Sequence, residues 1–196
     1  MDQPQMYVPE IAELYPPQGL WTEADYLRLP HSTRVIELNV GRLTISPAPS
    51  HEHQRIGGDL AIALDRYADS HQLGEVLFAP IAVRLRFNLI RMPDLVFIGR
   101  GHEHRKRKMW IEGPPDWVAE IISPFSRSID EGEKVTEYAL AAIPEYWLID
   151  PEQQQIWVYN LSDELPEYRL AGSYGPGMLA RSEILAGFEI ALSDLF

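Results

Sequence analysis

The chain has no cysteine, no long apolar run and a shortage of positive charge, and each absence excludes a class of function. Without cysteine there is no disulfide, no thiolate zinc site and no cysteine nucleophile. That usage fits a reducing compartment. No segment approaches the roughly 20 apolar residues of a membrane span, and the opening MDQPQMYVPEIAEL lacks the basic and apolar regions of a signal peptide. A cytoplasmic location and no membrane contact are expected. Lys and Arg number 17 against 29 Asp and Glu, a formal net charge of -12, which repels phosphates and opposes general adhesion to nucleic acid. A nucleic-acid enzyme of this composition needs local positive charge.

What is present suffices for one domain with a real core: 196 residues, 45% of them hydrophobic. Residues 1–20 are dotted with proline and lack periodicity, so they read as an extended N-terminal arm, and residues 21–196 as a single domain. Thr22 can cap a short helix in TEADYLRL before Pro30 stops it. In RVIELNVGRLTIS two β-rich runs flank Asn39, Val40 and Gly41, the pattern of a hairpin, with Glu37 near its turn. From His51 the apolar residues Ile56, Leu60, Leu64, Tyr67 and Ala68 recur at helical spacing, and Gly74 is placed as the C-terminal cap.

EVLFAP, IAVRLRF, MPDLVFI and WVAEII then read as strands, the last nearly all apolar and so central. Ser128 to Glu131 give a capping-box pattern that opens a helix running to about Ala142. EYWLID and QIWVYNL form a further pair of strands joined by PEQQ. Tyr146, Trp147 and Trp157 on that pair read as core or as a dimer surface rather than as a base-stacking platform.

Two acids interrupt these apolar strands: Asp94 in MPDLVFI and Glu120 in WVAEII. An unpaired carboxylate is costly in a half-buried strand, so something must compensate each charge. Alternation puts Asp94, Val96 and Ile98 on one face of their strand, and Val118, Glu120 and Ile122 on one face of theirs. If the strands are neighbours, the two carboxylates converge. A hard cation such as Mg²⁺ takes oxygen ligands and keeps several waters, and Lys134 in the following helix adds a group able to stabilise developing negative charge. Two carboxylates, a cation and a lysine are the parts needed to cut a phosphodiester bond. Each acid taken alone also reads as a strand-end residue capping a helix or pairing with surface lysines, and Lys134 as the partner of Asp130 four residues earlier.

The only basic concentration, Arg105, Lys106, Arg107 and Lys108 with His102 and His104, lies between the two acidic strands in sequence. It is either a solvated loop or a phosphate contact. A rival zinc reading pairs His51 with His53 and His102 with His104, but one pair opens a helix and the other sits in the basic loop.

The order of these segments resembles the Uma2 family of restriction-endonuclease-like proteins. The matching residues are Glu37 and Gly41 in IELNVGRL, His53 and Gln54 in SHEHQ, Pro93 and Asp94 in MPDLVF, and Glu120, Ser123, Pro124 and Ser126 in EIISPFS. Asp130, Lys134 and Tyr138 in DEGEKVTEY follow, then IPEYWLIDP ending at Asp150. The resemblance implies an α/β fold, a restriction-endonuclease-like mixed β-sheet flanked by helices, with Mg²⁺ or Mn²⁺ held by Asp94, Glu120 and the backbone carbonyl of Ile121. It implies Lys134 as the catalytic lysine. The position two after the glutamate, where a literal E-x-K signature has lysine, is Ile122 here. Glu37 is a possible addition to the cation site, and His53 could orient water or phosphate. The expected protein is a metal-dependent endonuclease on DNA, acting as a homodimer; the alternative is a non-catalytic binding module on the same fold.

Overall fold

The computed structural model describes residues 15–30 and 32–196. Most of the expected N-terminal arm lies outside the described residues. Of its end, Gln18 pairs with the backbone of Leu43 and the Gly19 N–H donates to the Gly41 carbonyl, so residues 18 and 19 run against the first hairpin.

That hairpin joins β1 (Ile36–Asn39) to β2 (Arg42–Ile45) through Val40 and Gly41, both at positive φ, 42° and 82°. Two such residues twist the turn in the sense that antiparallel strands need. Thr22 caps α1 (Glu23–Leu27) with a complete capping box to Asp25. The long helix α2 (His51–Ser70) is capped by Ser50, whose hydroxyl accepts the His53 N–H. It buries Ile56, Leu60, Leu64 and Ala68, a strict four-residue stripe worth roughly 1.5–3 kcal/mol for each large side chain.

Gly74 does not cap this helix. The chain leaves α2 at His71 and turns at Gln72, whose φ is 54°, and Gly74 opens β3 (Gly74–Phe78). A Cβ there would lie 2.1 Å from the Ile98 carbonyl oxygen, so glycine is required by the close approach of the next strand. Gly74→Ala should therefore destabilise by roughly 3 kcal/mol. Gly58→Ala, on α2 with open space around its Cβ, should instead gain about 1 kcal/mol. Urea denaturation of both variants checks the contrast.

The hairpin strands join β4 (Ala82–Arg86), β5 (Leu89–Arg91) and β7 (Trp110–Glu112) in a five-stranded sheet of order β2-β1-β5-β4-β7. A six-stranded sheet contains β3, β6 (Leu95–Gly99), β8 (Trp117–Ile121), β9 (Glu145–Asp150), β10 (Gln155–Leu161) and β11 (Tyr168–Tyr174), ordered β11-β10-β9-β8-β6-β3. The pairs β8 with β9 and β4 with β7 are parallel, which makes both sheets mixed. A small hairpin, β12 (Leu179–Arg181) and β13 (Glu189–Ala191), follows.

Strand alternation builds two cores on the six-stranded sheet. Leu95, Phe97, Ala119 and Ile121 meet the stripe of α2, while Val96, Ile98, Val118 and Ile122 meet Val83, Leu85 and Leu89 of the other sheet. The expected mixed α/β architecture is thus present. Among the described residues no helix is long and apolar enough to cross a membrane.

The segment after β8 differs from the capping-box expectation. Ser128 is helical and makes no side-chain cap bond. Ser123 and Ser126 exchange the capping bonds instead, each hydroxyl accepting the other's backbone N–H at 3.1 and 3.0 Å. Residues Ile129–Glu133 form a π-helical turn before α3 (Lys134–Leu140) begins. Such wide turns are frequent at functional sites, and this one faces the acidic strands.

Candidate active site

Strands β6 and β8 are antiparallel neighbours with Leu95 opposite Ala119 and Val96 opposite Val118. One more step along this register sets Asp94 across from Glu120, where cross-strand Cβ atoms lie about 4.5–5.5 Å apart. Asp94 follows Pro93 and stands just before β6 begins, and its Oδ2 accepts the Ile121 N–H at 2.8 Å. The His53 Nε2 approaches the same oxygen at 3.2 Å from the first turn of α2. Burial alone would lower the His53 pKa, but the Asp94 carboxylate, with Asp130 and the Ile121 backbone, raises it, so the imidazolium is favoured beside Asp94.

Glu120 lies deeper, 3% exposed. Its Oε1 accepts the Tyr138 hydroxyl at 2.5 Å and lies 2.9 Å from the Lys134 ammonium. Asp130, Lys134 and Tyr138 follow one another at four-residue spacing along the π turn and α3, and all three are buried. The Lys134 Nζ is also 3.0 Å from Asp130 and 3.6 Å from Glu37.

Glu37, near the hairpin turn in sequence, is buried in the structure. It is 4% exposed, accepts the Met92 N–H at 3.0 Å and pairs with the Arg91 guanidinium at 3.0 Å. It points inward because β1 pairs with β5, which carries Arg91.

Charge does not balance in this cluster. Burial pushes the Glu120 carboxyl well above the usual range, opposed by Lys134 and reinforced by Asp130, Asp94 and Glu37. Burial would also strip the proton from Lys134, but Glu120, Glu37 and Asp130 more than offset it and hold the ammonium charged. Arg91 is occupied by Glu37, Glu133 and Glu137. One ammonium serves three carboxyls, and burial favours the neutral forms of Glu120 and Asp130.

Among the described residues no three His, Asp or Glu side chains converge on one point as a preformed ion cage, and the ammonium of Lys134 sits between the buried acids. The donor set nonetheless fits a hard divalent cation. Carboxylate oxygens are its preferred ligands, and a cation would favour the ionised form of Glu120 against the effect of burial.

The basic run lies elsewhere. It follows the end of β6, about 20 Å from Asp94 at roughly 3.3 Å per strand residue. Arg105 donates to the Pro114 carbonyl, Lys106 pairs with Glu75 at 2.5 Å, and Arg107 donates to the His104 carbonyl. The rings of His102 and His104 lie edge to face, 6.1 Å apart, but among the described residues no third ligand joins either histidine pair. His102 is bonded to Asp116 in a 3₁₀ turn, and His51 and His53 open α2. Tyr146 and Trp147 are fully buried core and Trp157 is half-buried.

Sequence reasoning named Asp130 as the partner of Lys134 and Asp130 and Tyr138 as residues matching the family, without giving either a place in the site, and it did not name Arg91. The signal for Asp130 and Tyr138 was the spacing of four with Lys134. Arg91 carried no signal beyond a cation two residues before Pro93.

Comparison with known proteins places the chain. The family Uma2, described as "Putative restriction endonuclease", matches residues 23–193. A solved structure of a "putative nuclease belonging to DUF820" from Anabaena variabilis ATCC 29413 superposes with a TM-score of 0.75, covering 90% of this chain and 97% of that one. At 19% sequence identity the likeness is one of fold. No curated protein matches the sequence.

Proposed function

The chain belongs to the Uma2 family, and we propose that it is a divalent-cation-dependent endonuclease hydrolysing DNA phosphodiester bonds. The observation that supports this reading is the binding of Asp94 to the β8 backbone at Ile121, 2.8 Å, beside Glu120, whose carboxylate lies 2.9 Å from the Lys134 ammonium. Asp94, Glu120 and the Ile121 backbone carbonyl would hold Mg²⁺ or Mn²⁺. A cation there would polarise the phosphate and lower the pKa of water.

The chain's own residues do the rest. His53 and the Ile121 N–H fix the orientation of Asp94. The Tyr138 hydroxyl, kept protonated by burial beside Glu120, fixes Glu120. Lys134 places a permanent positive charge beside the acids, where negative charge grows on the phosphate oxygens in the transition state. Arg107 and Lys108, both exposed, are assigned to phosphates of the duplex away from the cut, and the working unit to a homodimer.

Asp94→Asn tests the cation site. The amide oxygen can still accept the Ile121 N–H, so the fold should persist, and relief of repulsion should leave the melting temperature of the metal-free protein unchanged or higher. Mn²⁺ should raise the melting temperature of wild type and not of the variant. Cleavage of supercoiled plasmid and single-stranded DNA in Mn²⁺ should be lost with the same substitution. Equal stabilisation of both proteins would place the ion elsewhere; selective stabilisation without cleavage of any DNA would favour a binding module.

A further inference from the structure

At the end of β6 opposite Asp94, an open cavity of about 500 Å³ lies between the last turn of α2, the 3₁₀ turn after β6 (Arg100–Arg105) and the loop at residues 184–186. That volume is ordinary for a small-molecule site. Buried Phe97 and Leu185 give it an apolar floor, and Tyr67 and His71 give it an aromatic wall, their rings stacked with centroids 4.1 Å apart. The wall is fixed from both sides: the Tyr67 hydroxyl donates to the Ala186 carbonyl at 2.7 Å, which ties α2 to the loop.

Two imidazoles line this cavity, and both are oriented in the same way. His102 Nδ1 bonds to Asp116 Oδ1 at 2.6 Å, and His71 Nδ1 bonds to the Tyr67 carbonyl at 2.9 Å. A carboxylate and a carbonyl only accept, so each ring carries its proton on Nδ1. Among the described residues neither Nε2 has a hydrogen-bond partner, which leaves two acceptors for the hydroxyl or amino groups of a ligand. Arg100 also lines the cavity, and its guanidinium makes one long bond, 3.5 Å to the Gln72 side chain. Asp116 is the one acid in the lining, and its second oxygen is already taken by the Gly99 N–H at 2.7 Å. The rim thus presents a cation, free acceptors and no uncommitted carboxylate, above apolar and aromatic surface.

We infer that this cavity is a binding site for a nucleoside monophosphate. Such a molecule has the three parts that the lining calls for: a flat ring for the Tyr67 and His71 wall, hydroxyl or amino donors for the two Nε2 atoms, and an anion for Arg100. Inorganic phosphate lacks the ring, and a nucleoside lacks the charge. The cavity is separated from Asp94 by the length of β6, roughly 15 Å at about 3.3 Å per residue. It is therefore a second site, and the inference does not depend on the endonuclease reading.

The test is calorimetric titration of the full chain with deoxyadenosine monophosphate, deoxyadenosine and inorganic phosphate, read beside NMR of the histidine ring nitrogens. The nucleotide should bind once per chain, move the Nε2 resonances of His71 and His102, and bind roughly tenfold or more tighter than either fragment, as a hydrogen bond to a charged group adds to the ring contact. Arg100→Gln alters an exposed side chain with one long bond, so the fold should persist; it should weaken the nucleotide by roughly tenfold and leave the nucleoside unchanged. His102→Phe keeps a ring in place without Nε2 and should weaken both. Asp94→Asn should bind the nucleotide as wild type does. Absence of saturable binding, or binding unaltered in both Arg100→Gln and His102→Phe, overturns the inference and leaves the endonuclease reading untouched. Binding lost in Asp94→Asn overturns it by placing the nucleotide in the candidate active site. Phosphate or nucleoside binding as tightly as the nucleotide overturns the assignment of the ligand.

Discussion

Arg91→Met should destabilise the protein by about 3–5 kcal/mol at neutral pH, the cost of leaving a buried charge without its partner. The guanidinium is 1% exposed and binds Glu37 at 3.0 Å, Glu133 at 3.2 Å and Glu137 at 2.7 Å. It therefore ties the five-stranded sheet to the π turn and α3. Burial would raise the Glu37 carboxyl, but Lys134 and Arg91 pull it below its ordinary range. A depressed carboxyl contributes stability above its unfolded pKa and loses it as pH falls through the folded value. In the variant Lys134 remains but the Arg91 part of this contribution is missing, and protonation of Glu37 becomes easier. The difference between variant and wild type should therefore shrink as pH falls below about 4.5. Urea denaturation across that range, with the Arg91→Met/Glu37→Met double variant as the partner of the cycle, measures it. A double variant as unstable as the single one would place the cost in lost packing of the arginine stem.

How far the site was legible follows from what each feature depends on. Strand alternation in MPDLVFI and WVAEII put Asp94 and Glu120 on matching faces, and the structure makes β6 and β8 antiparallel neighbours. The four-residue stripe of α2 and the hairpin at Val40 and Gly41 were equally local and equally readable. Strands β5 and β7, three residues each, are too short to display a period, and they are held by pairing rather than by propensity. Gly74 misled because a glycine after a helix suits a cap, while its actual constraint, the Ile98 carbonyl, comes from a strand more than 20 residues away. Burial of Glu37 depended on Arg91, 54 residues along the chain. Charge partners that distant leave no spacing to read. The basic run misled for the converse reason. It lies between the acidic strands in sequence, but β6 carries it to the opposite end of the sheet.

Lys134→Ala should lower single-turnover DNA cleavage in Mn²⁺ by roughly a hundredfold or more while changing DNA affinity little, the pattern of a group whose interaction is stronger in the transition state. The geometry adds a second outcome that simple loss of a surface lysine would not produce. The ammonium is 5% exposed and within 3.6 Å of Glu120, Asp130 and Glu37. Its removal leaves three buried carboxylates with only Arg91 nearby, so the metal-free variant should melt below wild type. A divalent cation would restore the missing charge, so Mn²⁺ should raise the melting temperature of Lys134→Ala more than that of wild type. Lys134→Arg should not recover cleavage, because a planar fork cannot replace a compact ammonium held among three carboxylates. Thermal melts with and without Mn²⁺, read beside the cleavage rates, separate the two tasks. Lost cleavage with an unchanged response to Mn²⁺ would leave Lys134 acting on the phosphate alone, and retained cleavage would remove it from the mechanism.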